Sequence, residues 1–343
     1  MEYLDILNNI NEKDQEIKLK PHDRVLIIDG LNLFFRNFAT INLTNNNGAH
    51  IGGLGGFLRS MGTLINKVQP TSIYVIFDGK GSTVNRKNIN PDYKANRNIN
   101  RITNWDSFDS LEDEHESKLD QLQRLVQYLK LLPIKILSFD KAEADDIISV
   151  LCKQLSYDKN KLFIVSSDKD FLQLVDDHIV VYRPTEKKFY TYDDVENSFN
   201  IKPENFLLYK CLLGDNSDNV KGIKGLGKKT LAKRLPELTN EEIHLGKLHS
   251  ICEEKLTTNI SYARILDDFD TIEKNYKIMN LKDPMVTEQQ IQGVKEIIAH
   301  KELNYYPDEF ESLHNVDKLG NLIRNPQHWF NQYFNQIYKI SKQ

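Results

Sequence analysis

Cysteine is scarce in this chain, and what there is does not cluster. Cys152, Cys211 and Cys252 are scattered, odd in number, and form no CxxC spacing. Neither a disulfide framework nor a zinc knuckle is implied, and a reducing cytoplasm fits best. Long apolar runs are missing as well. None approaches the ~18–20 residues of a membrane span, so no membrane partner is expected. The stretch Met1-Glu2-Tyr3-Leu4-Asp5 is acidic and lacks a signal-peptide pattern. The histidines show no metal-ligand spacing, no Gly-x-Ser-x-Gly elbow appears, and there is no internal repeat.

What is present is the composition of a soluble globular protein, 40% hydrophobic and 27% charged, with 343 residues for about two domains. The net charge of −4 argues at first against nucleic acid. The total hides a segregation. Setting aside nine carboxylates (Asp29, Asp78, Glu143, Asp145, Asp146, Asp168, Asp170, Asp215 and Asp218) turns −4 into +5. A local basic surface matters more for phosphate binding than whole-chain charge.

Residues 1–22 form a polar tail in which Leu4, Leu7 and Ile10 fall at helical spacing. From 24 to 183 the pattern alternates. Strands read at 24–29, 72–78, 134–139, 161–166 and 179–182, and helices at 54–68, 118–131 and 142–155. That alternation predicts an α/β domain over 23–190, with a mostly parallel sheet covered by helices on both faces. Between Gly79 and Glu116 the pattern breaks into a long polar connection of the kind that is often functional. Residues 191–343 read as short helices and loops without strong strands, hence as a second, mainly helical domain.

Three of the apolar runs lead into aspartate: Ile28-Asp29, Phe77-Asp78 and Ser166-Ser167-Asp168-Lys169-Asp170. Asp-Gly on its own only marks a strand end. Three such ends imply one shared site, because ligands of open α/β sheets bind beyond the carboxyl ends of the strands. Like charges gathered at about 4 Å repel by roughly 1 kcal/mol per pair in water and about 4 at an effective dielectric near 20, so the set calls for cations. Asp168 and Asp170 share one side of an extended segment, a good half-site for Mg²⁺ or Mn²⁺. Glu143, Asp145 and Asp146 open a helix, where Glu143 and Asp146 are expected to share a face and Asp145 is not. Asp215 and Asp218 sit in a loop that would reach in from the second domain. Such a cluster suits phosphodiester hydrolysis with two cations.

Two basic features could supply the substrate. Gly222 to Lys228 nearly matches a nucleotide loop, but Lys229 stands where Ser or Thr is needed and no strand precedes it. What remains is a glycine-rich turn, Gly222, Gly225 and Gly227, surrounded by Lys224, Lys228, Lys229, Lys233 and Arg234, suited to gripping a nucleic-acid backbone. In the long connection, Arg86, Lys87, Lys94, Arg97 and Arg101 interleave with Tyr93 and Trp105, a combination suited to single strands. The acidic run from Asp106 to Glu116 would repel phosphate, leaving only the first half as a contact surface.

The ordered segments Ile28-Asp29-Gly30-Leu31-Asn32, Gly55-Gly56-Phe57-Leu58, Phe77-Asp78-Gly79, Tyr93-Lys94-Ala95-Asn96-Arg97, Ala142-Glu143-Ala144-Asp145-Asp146, Ser166 to Phe171, and Leu213-Gly214-Asp215 through Gly227 span about residues 24–235. In this order the chain resembles the flap endonuclease and 5′-nuclease family, and within it is similar to the ribonucleases H of T-even-type phages. The resemblance implies a PIN-like core and two Mg²⁺ ions, with Mn²⁺ as a substitute. One ion would be held mainly by Asp29, Asp78, Glu143, Asp145, Asp168 and Asp170, the other by Asp146, Asp215 and Asp218. It implies that residues of about 80–118 form an arch for a 5′ single strand. Lys94 and Arg97, with Arg86 as a third, would contact the scissile phosphate. The Gly222–Gly227 turn would be a helix–turn–helix variant that grips duplex and holds K⁺. Cutting at 5′ ends and flaps of DNA and of RNA–DNA hybrid, for primer removal in replication, is the implied activity, alongside a sliding clamp or single-strand-binding protein. Leu4, Leu7 and Ile10, or Phe330, Tyr333 and Phe334, are candidate docking anchors, with core packing the stronger reading for the latter.

Rival readings are testable on the same residues. An aspartate-nucleophile phosphatase needs a second Asp where Leu31 stands. A small PIN-type ribonuclease would lack the 200–235 clamp. A junction-binding protein with a decayed site would show a lost carboxylate, and the acidic set is intact.

Overall fold

A computed structural model describes residues 20–343 apart from 21, 99–101, 157–159 and 321. Leu4, Leu7, Ile10 and Arg101 therefore lie outside the described residues. The chain opens with β1 (Arg24–Asp29), α1 (Gly30–Thr40), α2 (Gly52–Val68), β2 (Ser72–Ile76), α3 (Val84–Ile89), α4 (Leu111–Leu129), β3 (Lys135–Leu137), α5 (Ala144–Leu155), β4 (Lys161–Val165), β5 (Ile179–Arg183) and β6 (Lys188–Tyr190). The sheet order is β3-β2-β1-β4-β5-β6, parallel throughout except for β6, which pairs antiparallel with β5. This is the mostly parallel, helix-covered sheet expected from the alternation.

Successive side chains of β1 point to opposite faces, and each face has its own core. Val25 and Ile27 pack with Ile147, Ile148 and Leu151 of α5. Leu26 and Ile28 pack with Phe34 and Phe38 of α1, Phe57 and Met61 of α2, and Leu125 and Tyr128 of α4. Glycines let α1 and α2 approach closely. A Cβ on Gly56 would lie 2.8 Å from the Asn37 Cβ, and one on Gly53 2.6 Å from the Phe34 ring.

The remaining elements are α6 (Tyr192–Phe199), α7 (Phe206–Leu213), β7 (Gly214–Asp215), β8 (Val220–Lys221), α8 (Lys228–Arg234), α9 (Glu237–Asn240), α10 (Leu245–Glu254), α11 (Ile260–Asp267), α12 (Phe269–Met279), α13 (Glu288–Ala299), α14 (Pro307–Val316) and α15 (Pro326–Ser341). The packing adds two features to the expected layout. The helical part is continuous with the first face of the sheet, since Phe206, Leu212, Ile272, Ile278 and Val294 share the core of Val25 and Ile27. The last two helices do not belong with it. Phe310, Phe330, Phe334 and Ile337 are buried on the other face, against α2. Phe330 and Phe334 are core residues, with Tyr333 packed beside them. Among the described residues, no helix is long and apolar enough to cross a membrane.

The long connection is also more ordered than its polarity suggests. It contains α3, a short 3₁₀ turn at Ala95–Asn98, and a loop whose Phe108 ring stacks on Phe38 at 5.5 Å. Glu114, from the acidic run, is an internal anchor. Its carboxylate accepts from Thr103 N (2.8 Å), Thr103 Oγ1 (2.6 Å) and Asn104 N (2.8 Å), and pairs with Lys118 (2.8 Å). Burial works against the charge, but these donors hold the carboxyl down at about 2.

Candidate active site

The parallel register brings the strand ends level. Asp29 is opposite Ile76, and Ile28 is opposite Val165. Asp29, Asp78 and Asp168, each at or just past a strand end, therefore emerge at one edge of the sheet. Each also accepts from a backbone amide. Asp29 caps α1, accepting from Asn32 N (3.2 Å), while its other oxygen accepts from Ser166 Oγ (2.9 Å). Asp78 accepts from Ala144 N at the start of α5 (2.7 Å). Asp168 accepts from Asp170 N (2.8 Å).

These three, with Glu143 and Asp145, line a cleft of about 570 Å³ whose rim carries Lys94 and Arg97. Burial pushes the Asp29 carboxyl up to about 7, with Asp78 and Asp168 adding to it against the hydrogen bonds from Asn32 and Ser166. Burial likewise raises Asp78 and Asp168. For Glu143, burial and the neighbouring Asp145 charge outweigh Arg86 and Lys94. Anionic oxygens crowded into a low-dielectric site and left short of positive charge behave this way.

The start of α5 departs from the expected face pairing. Glu143 is an extended N-cap (φ −78°, ψ 152°), so the helical i, i+3 rule does not apply to it. Glu143 and Asp145 line the cleft, and Asp146 turns inward. Both Asp146 oxygens are engaged by Arg86, at 2.6 and 3.0 Å, and Oδ1 also accepts from Met285 N (3.1 Å). Arg86 is itself buried. Its Nε donates to the Ile278 carbonyl (2.9 Å), and Nη1 lies 3.1 Å from Glu143. Asp146, expected to help hold an ion, and Arg86, expected at the phosphate, meet each other here and do not line the cleft. Together they form an internal ion pair joining α3, α5 and the end of α12.

The loop between β7 and β8 meets the root of the long connection. Lys94 N donates to the Asp218 carbonyl (2.9 Å), Asn96 Nδ2 to the Asn216 carbonyl (2.6 Å), and Asn219 Nδ2 to the Asp92 carbonyl (2.8 Å). Lys94 holds a left-handed backbone, φ 56°, which is sparsely populated for a side chain of its size. Its ammonium pairs with Glu143 (2.8 Å), and Arg97 pairs with Asp218. Tyr93 is not a stacking platform. It is buried, and its hydroxyl reaches Glu143 (3.2 Å) and Asp218 (3.3 Å).

Lys210 is a residue that pattern reading missed. It lies in the apolar run Phe206–Leu213, and its ammonium sits 2.7 Å from Asp170 while also pairing with Asp215. Burial opposes its charge, but Asp170, Asp168 and Asp215 hold its pKa above the ordinary lysine value. Among the described residues, no group of three or more His, Cys, Asp or Glu closes into an ion cage as the side chains stand. Lys94, Arg97, Arg86 and Lys210 pair with the carboxylates instead.

A second groove, of about 650 Å³, continues from the first past Asn32, Arg97, Ser167 and Asp168. It runs to Gly227 and Lys228, and Lys169, Arg183 and Lys210 face it. The glycine turn closes the far end. Gly225 has φ 80°, and a Cβ there would fall 2.4 Å from the Arg264 guanidinium. A Cβ on Gly222 would meet the Leu213 carbonyl at 2.2 Å. Lys224, Lys228, Lys229 and Lys233 are exposed around the turn, as is Lys87 on α3.

Residues 24–200 match the family model described as the 5′-3′ exonuclease, N-terminal resolvase-like domain. A 5′-3′ exonuclease of Aquifex aeolicus is 30% identical over 266 residues, covering 75% of this chain and 86% of that protein. A thermostable DNA polymerase I of Thermus filiformis is 26% identical over 302 residues, covering 85% of this chain. The chain spans only 34% of that polymerase's length. A bacteriophage T5 flap endonuclease, solved as a pseudo-enzyme-product complex with DNA and metal ions, has a similar fold. Its TM-score is 0.62 at 16% identity, with 93% of this chain and 99% of that chain covered.

Proposed function

This chain belongs to the 5′-3′ exonuclease family, and from that premise we propose that it is a metal-dependent, structure-specific 5′ nuclease acting on DNA. The observation that carries the reading is the five-carboxylate cleft, Asp29, Asp78, Glu143, Asp145 and Asp168, with Lys94 and Arg97 at its rim. The donor set fits hard divalent ions such as Mg²⁺ or Mn²⁺. All the donors are carboxylate oxygens, and Glu143 Oε1 is buried without a hydrogen-bond partner. The raised pKa of Asp29 marks the same need for positive charge.

The five cleft carboxylates and Asp170 would hold one ion, and Asp146, Asp215 and Asp218 would serve a second. Bound there, the ions would supply an activated water and stabilisation of the departing oxygen. The chain's own residues do the rest. Lys94 and Arg97 orient the phosphate and neutralise charge that develops on it. Glu143 and Asp218 hold those two cations at the mouth of the cleft until substrate arrives. The second groove leads the duplex from the cleft to the Gly222–Gly227 turn, where Lys224, Lys228 and Lys229 meet the backbone without reading bases. Cleavage of RNA–DNA hybrid, a role in primer removal, K⁺ at the glycine turn and docking to a sliding clamp or single-strand-binding protein are the finer parts of the proposal.

The test is a cleavage panel of 5′-flap, nicked, blunt and RNA–DNA substrates with Mg²⁺, with Mn²⁺ and with chelator. Products released from 5′ ends only when a divalent ion is added are expected. No cleavage of any 5′-ended substrate with either ion would overturn the reading.

A further inference from the structure

The short segment Ser166-Ser167-Asp168 joins two of the cleft carboxylates. Ser166 Oγ donates to Asp29 Oδ2 (2.9 Å) and accepts from Asp168 N (3.1 Å). This hydroxyl therefore touches one carboxylate directly and the backbone of the residue that carries the other. The next peptide is gripped on both sides. Ser167 N donates to Asn32 Oδ1 (2.9 Å). The Ser167 carbonyl accepts from Arg183 twice, from Nη2 (2.9 Å) and Nε (3.3 Å).

Arg183 is in turn held from behind. It is 6% exposed, its Nη1 pairs with Glu186, and its guanidinium lies 5.8 Å from the centre of the Tyr190 ring. The Tyr190 hydroxyl donates to the other Glu186 oxygen. The β5–β6 hairpin thus ends in a fixed fork aimed at one carbonyl. A guanidinium spans a carbonyl on one side and a carboxylate on the other in one fixed planar geometry, which an ammonium on a flexible stem does not impose.

We propose that Arg183 and Asn32 are positioning residues that clamp the Ser167 peptide, fixing Asp29 and Asp168 relative to each other for ion binding. The clamp's part in catalysis rests on the nuclease reading, while its part in ion binding does not. Partners that orient ion-holding groups in this way typically change metal affinity by about 10–100-fold when removed.

Arg183 also faces the second groove beside Lys169 and Lys228, so a direct phosphate contact is the competing role. Arg183→Lys and Asn32→Ala separate the two in the full chain. The measurements are Mn²⁺ binding by calorimetry without DNA, exchange of the Ser167 and Asp168 amides, and duplex affinity against salt in Ca²⁺. The clamp predicts Mn²⁺ binding weakened about tenfold and faster amide exchange in both variants, with duplex affinity and salt slope unchanged. Weakened duplex binding in Arg183→Lys, with Mn²⁺ affinity and amide exchange at wild-type values, would overturn it. Tyr190→Phe removes only the hydroxyl behind Glu186 and should shift the same two readouts more mildly, which covers a variant that fails to fold. A wild-type protein that binds Mn²⁺ but cuts nothing would count against the nuclease reading and leave the clamp to be decided by its own measurements.

Discussion

The guanidinium of Arg86 meets the carboxylate of Asp146 through two parallel contacts, 2.6 Å from Nη1 to Oδ2 and 3.0 Å from Nη2 to Oδ1. Both side chains are almost fully buried, at 3% and 2% exposed. Removing one partner of such a pair strands the other charge, at a cost of about 3–5 kcal/mol. Arg86→Ala and Asp146→Ala should each lose that much in urea unfolding with chelator present, and the double variant should lose less than their sum. Losses under about 1 kcal/mol in both, within the range of exposed pairs, would place the two residues in solvent contact instead.

Asp168→Asn should abolish cleavage while leaving duplex binding intact or slightly tighter. It removes one anionic oxygen from the cleft and lowers repulsion towards phosphate. Gel-shift and cleavage assays on one 5′-flap substrate measure both. Full cleavage in Mg²⁺ by this variant would sink the assignment of the cleft.

Stability without divalent ions should fall as pH rises from about 4 to 7. Burial lifts Asp29 from 3.8 to about 7 in the folded protein, and Asp78, Asp168 and Asp170 shift in the same direction. Over that window the folded state binds more protons than the unfolded one, so the slope of unfolding free energy with pH is negative from these groups. Divalent ions should reverse it, raising Tm more at pH 8 than at pH 5. Melting curves with chelator and with Mn²⁺ at both pH values provide the check. An equal Tm gain at both would contradict the raised carboxyls.

Lys228→Ala combined with Lys229→Ala should weaken duplex binding and flatten its salt dependence by about two phosphate contacts' worth. Fluorescence anisotropy over a salt series reads the slope. A slope equal to wild type would mean that these exposed lysines never meet the backbone.

Much of this was legible in one dimension, for physical reasons. Strands buried on both faces read as continuous apolar runs, so β1, β2, β4 and β5 stood out, the first three of them leading into aspartate. Helix α1 was missed, because Leu33, Phe34 and Phe38 lie close to β1 and resemble its continuation. The exchange of Asp145 and Asp146 was not legible. It depends on Glu143 being the extended cap rather than the first helical residue, a one-residue difference that rotates the set by about 100°. Lys210 was hidden because a lone lysine in an apolar helix shows its partners only after Asp170 and Asp215 are brought to it. The return of Phe310 and Phe330 to the sheet was equally invisible, since an amphipathic helix does not say which surface its apolar stripe covers.

The aspartates of the cleft are also the first hydrogen-bond acceptors of the segments behind them. Asp29 holds the Asn32 amide, Asp78 the Ala144 amide and Asp168 the Asp170 amide. Each of these N–H groups is therefore a spectroscopic probe wired to one carboxylate. Their chemical shifts should move separately as the cleft is titrated with protons or cations, so that a backbone spectrum alone would tell which oxygen is engaged and in what order.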